Sequence, residues 1–400
     1  MIAGSMVVNV VNYIYHLVMG RILGPSDYGT LVALYSLLYI VSIIPLSSSF
    51  AIVKFISSAK NAKEQAGIYV VLNKFIFKIA IAGTILIMVL SPILSKFLHV
   101  SNVWEVALVG PVLFFSLVTL VNQATMQGLL SFMGVVIPNI ISSVSKFVLG
   151  LALVVLGFSV IGAIWGVVLA AAGAYFLSLR YIRSKIKSDG TENFKISKFL
   201  KFSFPVLVLA LAFTSIFTID LILVKHFFSS FEAGIYAALS MLGKIVFFAA
   251  SPVTAVMFPI VAARNSQGGK FLKVFLFSLG ATFFICLGAL SIYFVFPGLS
   301  VSILYGQKYL LAADKLIWMG LFLSFYTLSY FMSNFFMSIG KTQIAYIPFV
   351  IALIQAISIW IYHPSLLSII QVSLGLMVAL FLILLTILGY NMTHGEIAKN

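Results

Sequence analysis

Long apolar runs separated by short polar stretches recur along the whole chain. Most runs reach about 18 residues or more, enough for an α-helix to cross a hydrocarbon core of about 30 Å. Periodicity within the runs is weak, as expected where most helix faces contact lipid or other apolar helices. The pattern predicts about twelve transmembrane helices, near residues 3–20, 29–53, 72–95, 104–126, 132–156, 159–179, 204–225, 233–260, 271–297, 311–337, 344–361 and 365–390.

The composition agrees with this pattern. The 400 residues are 62% hydrophobic and 8% charged, with a mean hydropathy of +1.18, whereas soluble domains average about 25% charged residues. The longest hydrophilic segment is basic and separates the two sets of six helices. We therefore expect an all-α, polytopic membrane protein in three parts: an N-lobe at 1–180, a basic cytoplasmic linker at 181–203 and a C-lobe at 204–400.

An internal repeat relates the two lobes. The run GRILGPSDYGTLVALYSL from Gly20 returns as KHFFSSFEAGIYAALSML from Lys225, and a constant offset of 205 residues matches Gly29 to Gly234. With six helices per lobe, both copies enter the membrane from the same side, so the repeats are parallel and related by an axis along the membrane normal. Rocking of two such lobes would expose a central cleft alternately to either face, as in a transporter.

Lysine and arginine are unevenly distributed over the predicted loops. One side of the twelve-helix arrangement holds 17 of the 24 basic residues, the other side holds 5, and Lys146 and Lys244 lie within spans. By the positive-inside rule the basic side is cytoplasmic, which places both termini in the cytoplasm and the predicted loops of Asp27 and Glu232 outside. The net charge of +15 then sets topology and attracts anionic lipid, and no extramembrane segment is long enough to bind nucleic acid.

Polar residues inside the spans are the candidates for function, because a charge near the bilayer centre costs about 2.5–3.5 kcal/mol. On a helical wheel Asn12 and His16 share one polar stripe of the first helix. Lys146 and Lys244 lie mid-span, where a lysine is poorly placed to reach the interface, so we expect them to line a cavity. Asp220 is the one acid well inside a predicted span, which makes it a candidate for ion coupling or for an internal ion pair.

Four segments together resemble the bacterial and archaeal oligosaccharide flippases. They are LGPSDYGTLVALYSL from Leu23, FTIDLILV around Asp220, EAGIYAALSMLGKI from Glu232 and MFPIVAARN from Met257. These flippases form the polysaccharide-transporter branch of the multidrug/oligosaccharidyl-lipid/polysaccharide exporter superfamily. The resemblance covers essentially the whole chain and implies a MATE-like fold of two six-helix lobes around a central cleft.

The resemblance also implies a function. Such a flippase moves a lipid-linked oligosaccharide, a polyprenyl phosphate or pyrophosphate glycan, from the cytoplasmic to the outer leaflet by alternating access, for surface polysaccharide biosynthesis. It implies that cationic residues of the cleft receive the phosphate, a role we assign to Arg21, Lys146 and Lys244, while Tyr35 and Tyr39 are candidates to stack on sugars. The predicted substrate-binding residues are therefore Arg21, Lys146, Lys244, Tyr35, Tyr39, Asn12 and His16.

Plainer alternatives stand beside these roles. Arg21 lies near an interface, where snorkelling explains it better than substrate binding does, and the tyrosines are also ordinary core aromatics. Polar stripes such as that of Asn12 also serve helix–helix hydrogen bonding, and His16 can be a hydrogen-bonded structural histidine.

Two other functions remain open. A cation-coupled multidrug exporter of the same fold would favour an acidic cleft, whereas lysines outnumber acids in the predicted spans. An integral membrane glycan polymerase or glycosyltransferase would need acids or a metal site at a membrane face, and the nine acids are scattered. We therefore expect no enzyme activity, no cofactor and no metal. The expected partners are the polyprenyl-linked glycan, lipids of the cell membrane, and a glycan polymerase or glycosyltransferases, but no nucleic acid.

Overall fold

The computed structural model describes residues 2–41, 43–59, 61–186, 194–266 and 269–393. Regular structure in these ranges is helical throughout. A π turn at Val154–Phe158 and 3₁₀ segments at Gln307–Lys315 and Thr342–Ala345 accompany the α-helices. The α-helices are α1 Ile2–Val41, α2 Ile43–Ser57, α3 Ala62–Phe97, α4 Val103–Ala107, α5 Val109–Gly128, α6 Met133–Leu153, α7 Ser159–Lys185, α8 Ile196–Phe227, α9 Ser230–Ser266, α10 Leu272–Val295, α11 Pro297–Tyr305, α12 Leu316–Ser338, α13 Tyr346–Ile361 and α14 Leu366–Thr393.

Ten helical segments of the described part are long and apolar enough to cross a membrane. Two of them, Met6–Val41 and Met133–Lys185, are interrupted by a glycine with left-handed backbone, Gly24 at φ 72° and Gly157 at φ 94°. The second of these segments has 53 residues, far more than the roughly 20 that one crossing needs. Each interrupted segment therefore holds two crossing helices, which accounts for the twelve that the hydrophobic pattern predicts.

The chain reverses within α1 at Gly24. Glycine adopts positive φ without a Cβ clash, and the following Pro25 suits the start of a new helix. Residues at similar distances on either side of this point meet: the ring of Tyr35 lies 4.9 Å from that of His16 and 6.2 Å from that of Tyr15. The two parts of α1 are thus antiparallel neighbours.

Helices α6 and α7 are related in the same way across the turn at Gly157. A Cβ built on Gly166 of α7 would lie 2.5 Å from the Cα of Gly150 on α6, so the two backbones touch. Ser159, which opens α7, has a positive φ of 46° that completes the reversal. Gly150 and Gly166 together allow the close packing of α6 against α7.

The acids that the repeat places before each apolar stretch lie in first helical turns and not in loops. Ser229 and Glu232 form a capping box at the start of α9: the Ser229 hydroxyl accepts from the Glu232 amide at 3.2 Å and donates to its carboxylate at 2.7 Å. Asp27 follows the reversal in α1 and accepts a hydrogen bond from the hydroxyl of Ser159. Both acids therefore help to fix helix starts.

The chain divides into two compact units. The first comprises Met1–Ala210 and Phe228–Gly234, and the second comprises Leu211–Phe227 and Ile235–Asn400. In the first unit α6 packs along α7 and α1, and α5 contacts α2, α3 and α7. In the second unit α12 contacts α10 and α14, and α13 packs on α14. Residues 187–193 of the predicted linker lie outside the described residues, and the predicted boundaries of lobes and linker stay predictions.

The two copies of the repeat touch inside the first unit. A Cβ on Gly29 would lie 2.6 Å from the backbone nitrogen of Gly234 and 2.9 Å from the carbonyl oxygen of Ser230. Conversely, a Cβ on Gly234 would lie 1.8 Å from the carbonyl oxygen of Pro25. Because Pro25 and Ser230 are also matched at the offset of 205, the contact is reciprocal, as around a local two-fold axis. Only glycine at both positions allows the backbones to come this close.

Candidate functional site

A lysine within a transmembrane segment marks the candidate site of the first unit. The Lys146 ammonium on α6 donates a hydrogen bond to Oδ1 of Asn12 on α1, at 2.6 Å. It lies 4.6 Å from the centroid of the Tyr15 ring and 5.6 Å from that of Tyr35, distances at which an aromatic ring attracts a cation. These described partners are all uncharged, so the cluster keeps a net positive charge.

Buried rings form one wall of this cluster. The His16 ring meets those of Tyr35 and Tyr15 edge-on, at 4.9 Å and 5.5 Å, and all three side chains are buried. Lys146, in contrast, is partly exposed. The rings thus hold this partly exposed lysine in place.

Small residues make room for the arrangement. Gly150 lies one turn after Lys146, and a Cβ there would come within 3.3 Å of the Tyr15 ring. Gly166 packs against Gly150 from α7. A larger residue at position 150 would push the tyrosine off the ammonium.

Other polar residues on α6 serve helix packing. Asn139 accepts a hydrogen bond from the side-chain amide of Gln123 on α5 at 2.8 Å, and the Ser142 hydroxyl donates to the carbonyl of Ala170 on α7 at 3.2 Å. Interhelical bonds of this kind are worth about 0.6 kcal/mol each. They tie α6 to its neighbours and leave Lys146 as the charged group of the stripe.

The structure brings four of the predicted residues together, namely Lys146, Asn12, His16 and Tyr35. The other two predicted residues of this unit lie differently. Tyr39 is one turn beyond Tyr35 on the same stripe, yet it is 43% exposed, and Arg21 is also exposed. Neither is among the described partners of the Lys146 ammonium.

The second unit holds a buried acid beside a buried lysine. Asp220 on α8 accepts hydrogen bonds from the hydroxyl of Tyr236 at 2.7 Å and from the backbone amide of Leu221 at 2.8 Å. Lys244 on α9 interacts electrostatically with Asp220, and its ammonium lies 4.2 Å from the centroid of the Phe217 ring. Both charged side chains are almost fully buried, at 1% and 3% exposure. The acid and the lysine therefore attract each other within this cluster.

Tyr15, Tyr236 and Phe217 are the site residues that sequence reasoning missed. Each is an aromatic in an apolar run, and nothing in the sequence separates it from core packing. Tyr15 is about 100° from His16 around the helix and so falls outside the polar stripe. Tyr15 can be predicted as a site residue only if the reversal at Gly24, which brings Tyr15 and Tyr35 together, is known. Within the described ranges, no three His, Cys, Asp or Glu side chains group as a metal site.

Solved structures share this fold over nearly the whole chain. An inward-facing multidrug resistance MATE family transporter of the MOP superfamily superposes with a TM-score of 0.79 at 13% identity, covering 96% of this chain and 94% of that one. The lipid II flippase MurJ, in an inward closed conformation, gives 0.77 at 16% identity, covering 97% and 88%. A MOP superfamily transporter from Pyrococcus furiosus gives 0.68 at 16% identity, covering 96% and 93%.

These likenesses define the class: a multi-pass membrane protein with the MATE-like transporter fold. No curated protein matches the sequence. The family profile described as polysaccharide biosynthesis protein matches residues 18–314. The chain therefore belongs to the polysaccharide biosynthesis protein family, and the predicted resemblance is confirmed.

Proposed function

We propose that this protein flips a lipid-linked oligosaccharide from the cytoplasmic to the outer leaflet by alternating access. The match to the polysaccharide biosynthesis family over most of the chain supports a transporter that serves glycan assembly. The shared fold with a protein described as a lipid II flippase supports the same conclusion. In this proposal the glycan headgroup crosses the membrane through the protein while the polyprenyl tail stays in lipid.

The observation that carries the proposal is the set of uncharged partners around Lys146. An ammonium inside a membrane span is costly, so it marks a substrate or ion pathway. Here its described partners are Asn12 and two aromatic rings, which orient the charge without neutralising it. A phosphate or pyrophosphate would supply the missing negative charge through charge-assisted hydrogen bonds. Lys146 is therefore our first candidate for the headgroup phosphate.

The buried pair of the second unit has a different proposed role. Lys244 is a second phosphate candidate, and it already interacts electrostatically with Asp220. Asp220 is the candidate for ion coupling, because a cation or proton arriving at its carboxylate would release Lys244 to a substrate phosphate. Arg21 and Tyr39, which are exposed, are weaker candidates for the headgroup site than Lys146.

Pocket polarity separates this function from multidrug export. An exporter of organic cations needs an uncompensated acid, whereas the uncompensated charge at Lys146 is positive. The Pyrococcus furiosus transporter is described as having a binding pocket of reversed polarity that suggests a different function. The same distinction, applied here, favours an anionic substrate. We further propose that the protein lies in the cell membrane with cytoplasmic termini, and that it passes its glycan to a polymerase or to glycosyltransferases.

Deletion of the gene in its host is the direct test. We expect lipid-linked glycan to accumulate facing the cytoplasm and surface glycan to fall, with wild type and Lys146→Arg restoring export and Lys146→Ala failing. Lys308→Ala, which removes an exposed lysine, is the matched control and should restore export. Unchanged surface glycan without accumulation, in a host that has no second flippase, would contradict the proposal.

A further inference from the structure

A cluster of six aromatic rings begins beside the lysine of the second unit. The Lys244 ammonium lies over the Phe217 ring. That ring lies 5.4 Å from the ring of Phe247 and 5.2 Å from that of Tyr326. Phe247 in turn lies 5.2 Å from Tyr330. We call this set the ring cluster; it comprises Phe213, Phe217, Phe247, Phe248, Tyr326 and Tyr330.

Helical spacing places the rings and the charges on the same faces. Phe217 is three residues before Asp220 on α8, and Lys244 is three residues before Phe247 on α9, so each ring and charge are neighbours along their helix. Charged side chains in spans face the bundle interior or a water-filled space, not lipid. The ring cluster therefore belongs to the interior face of the second unit.

Part of the cluster is structural and part is accessible. Phe213 and Tyr326 are 3% exposed, and the Tyr326 hydroxyl donates to the Phe213 carbonyl at 3.1 Å, so these two rings are fixed in the core. Phe247 and Tyr330 are half-buried, and Phe247 lies 5.4 Å from the Phe217 ring that the Lys244 ammonium faces. Packing of Phe247 on Tyr326, at 5.4 Å, holds the accessible ring in place.

We propose that the Phe247 ring is the stacking face for a pyranose ring of the transported headgroup, next to a phosphate held by Lys244. Tyr330, whose ring meets Phe247 edge-on at 82°, fixes this face and completes the platform. This inference rests on the proposed function and extends it to the sugar. A pyranose presents a face of C–H bonds that packs on an aromatic ring, while its hydroxyls need polar neighbours such as the Tyr330 hydroxyl. A rigid aromatic face beside a cation suits a sugar phosphate better than a flexible alkyl chain.

Binding of two synthetic probes to the purified full-length protein in detergent tests the platform. The probes are farnesyl phosphate and farnesyl phosphoryl glucose, and calorimetry gives each affinity. We expect the glucosylated probe to bind wild type about three- to tenfold more tightly, the gain typical of one aromatic stacking contact. Phe247→Leu and Tyr330→Leu should each lose most of that margin and leave the affinity for farnesyl phosphate unchanged.

Phe284→Leu, which shortens an exposed ring on α10, is the matched control and should keep the full margin. The unchanged affinity for farnesyl phosphate shows in the same experiment that a variant is folded. Equal affinity of wild type for both probes, or a margin that survives in both platform variants, would overturn the platform and leave the phosphate site standing. Failure of wild type to bind either probe would count against the proposed function itself.

Discussion

At the scale of single residues, the most informative group is an ammonium with neutral neighbours. The described partners of Lys146 add no negative charge: Asn12 supplies an amide oxygen, and two ring faces add attraction without a proton acceptor. Asp220 and Lys244 show a different arrangement, in which a buried lysine interacts with a buried acid. Exchanging an amide for a carboxylate, or the reverse, should therefore affect the two clusters differently.

Asn12→Asp should separate binding from folding. The substituted carboxylate would lie where the amide oxygen already contacts the Lys146 ammonium at 2.6 Å, and it would neutralise that charge. Because a hydrogen bond to a charged group contributes about 1.5–3 kcal/mol, affinity for farnesyl phosphate should fall at least about tenfold. The thermal midpoint should stay close to that of wild type. Asn139→Asp, which adds the same charge elsewhere between helices, is the control, and an unchanged affinity in Asn12→Asp would refute the assignment of Lys146.

Asp220→Asn tests ion coupling. The asparagine can still accept from Tyr236, so the protein should fold, but it cannot bind a cation or proton as the carboxylate does. In proteoliposomes we expect wild-type flipping to accelerate under an imposed sodium or proton gradient and the variant to ignore both. Asp314→Asn, which breaks an exposed pair with Lys315, should respond as wild type does. A variant that is still stimulated would remove Asp220 from the coupling site.

At the scale of elements, hydrophobic runs predicted the helices well and their reversals poorly. Every predicted span has a helix in the structure, because a run of about 20 apolar residues leaves a membrane chain few other choices. The loop predicted between the first two helices does not exist as such: Gly24 turns the chain within a single residue, and Asp27 is already helical. A positive φ cannot be read from composition, and it decides which rings meet Lys146.

The repeat contained more of the structure than its few identities suggest. Matched residues of the two copies are buried: Gly29 and Gly234 touch, and Leu34 and Leu239 are fully inaccessible. These identities at an offset of 205 therefore lie at buried positions. The sequence could pair these positions with each other, but it could not show that the paired residues are in contact.

Gly234→Ala should destabilise the protein more than an ordinary glycine substitution. The added Cβ would lie 1.8 Å from the Pro25 carbonyl oxygen, a backbone atom that no side-chain rotation can move. We expect the free energy of unfolding to fall by about 1–3 kcal/mol, the usual cost of overpacking, with a lower thermal midpoint in detergent. Gly280→Ala is the control: its Cβ meets nothing within 4 Å on α10, so it should be neutral or stabilising. Equal midpoints for the two variants would show that the glycine contact is not tight.

At the scale of the whole molecule, the even number of crossings and the bias of basic residues support the same topology. Two glycine reversals turn ten candidate spans into twelve crossings, so both ends of the chain are expected on one side. With 17 basic residues on that side against 5 on the other, the positive-inside rule assigns it to the cytoplasm. An odd number of crossings would have divided the basic loops between the two faces.

Cysteine labelling in intact cells tests this topology. Lys270, just before α10, and Lys308, beyond α11, are both exposed and lie on opposite predicted sides. In a Cys286→Ala background, which removes the single native cysteine, Lys308→Cys should react with a membrane-impermeant maleimide from outside, and Lys270→Cys should react only after permeabilisation. Matching solvent exposure of the two lysines means that a difference in labelling reports sidedness and not burial. The reverse pattern would contradict the proposed cytoplasmic termini.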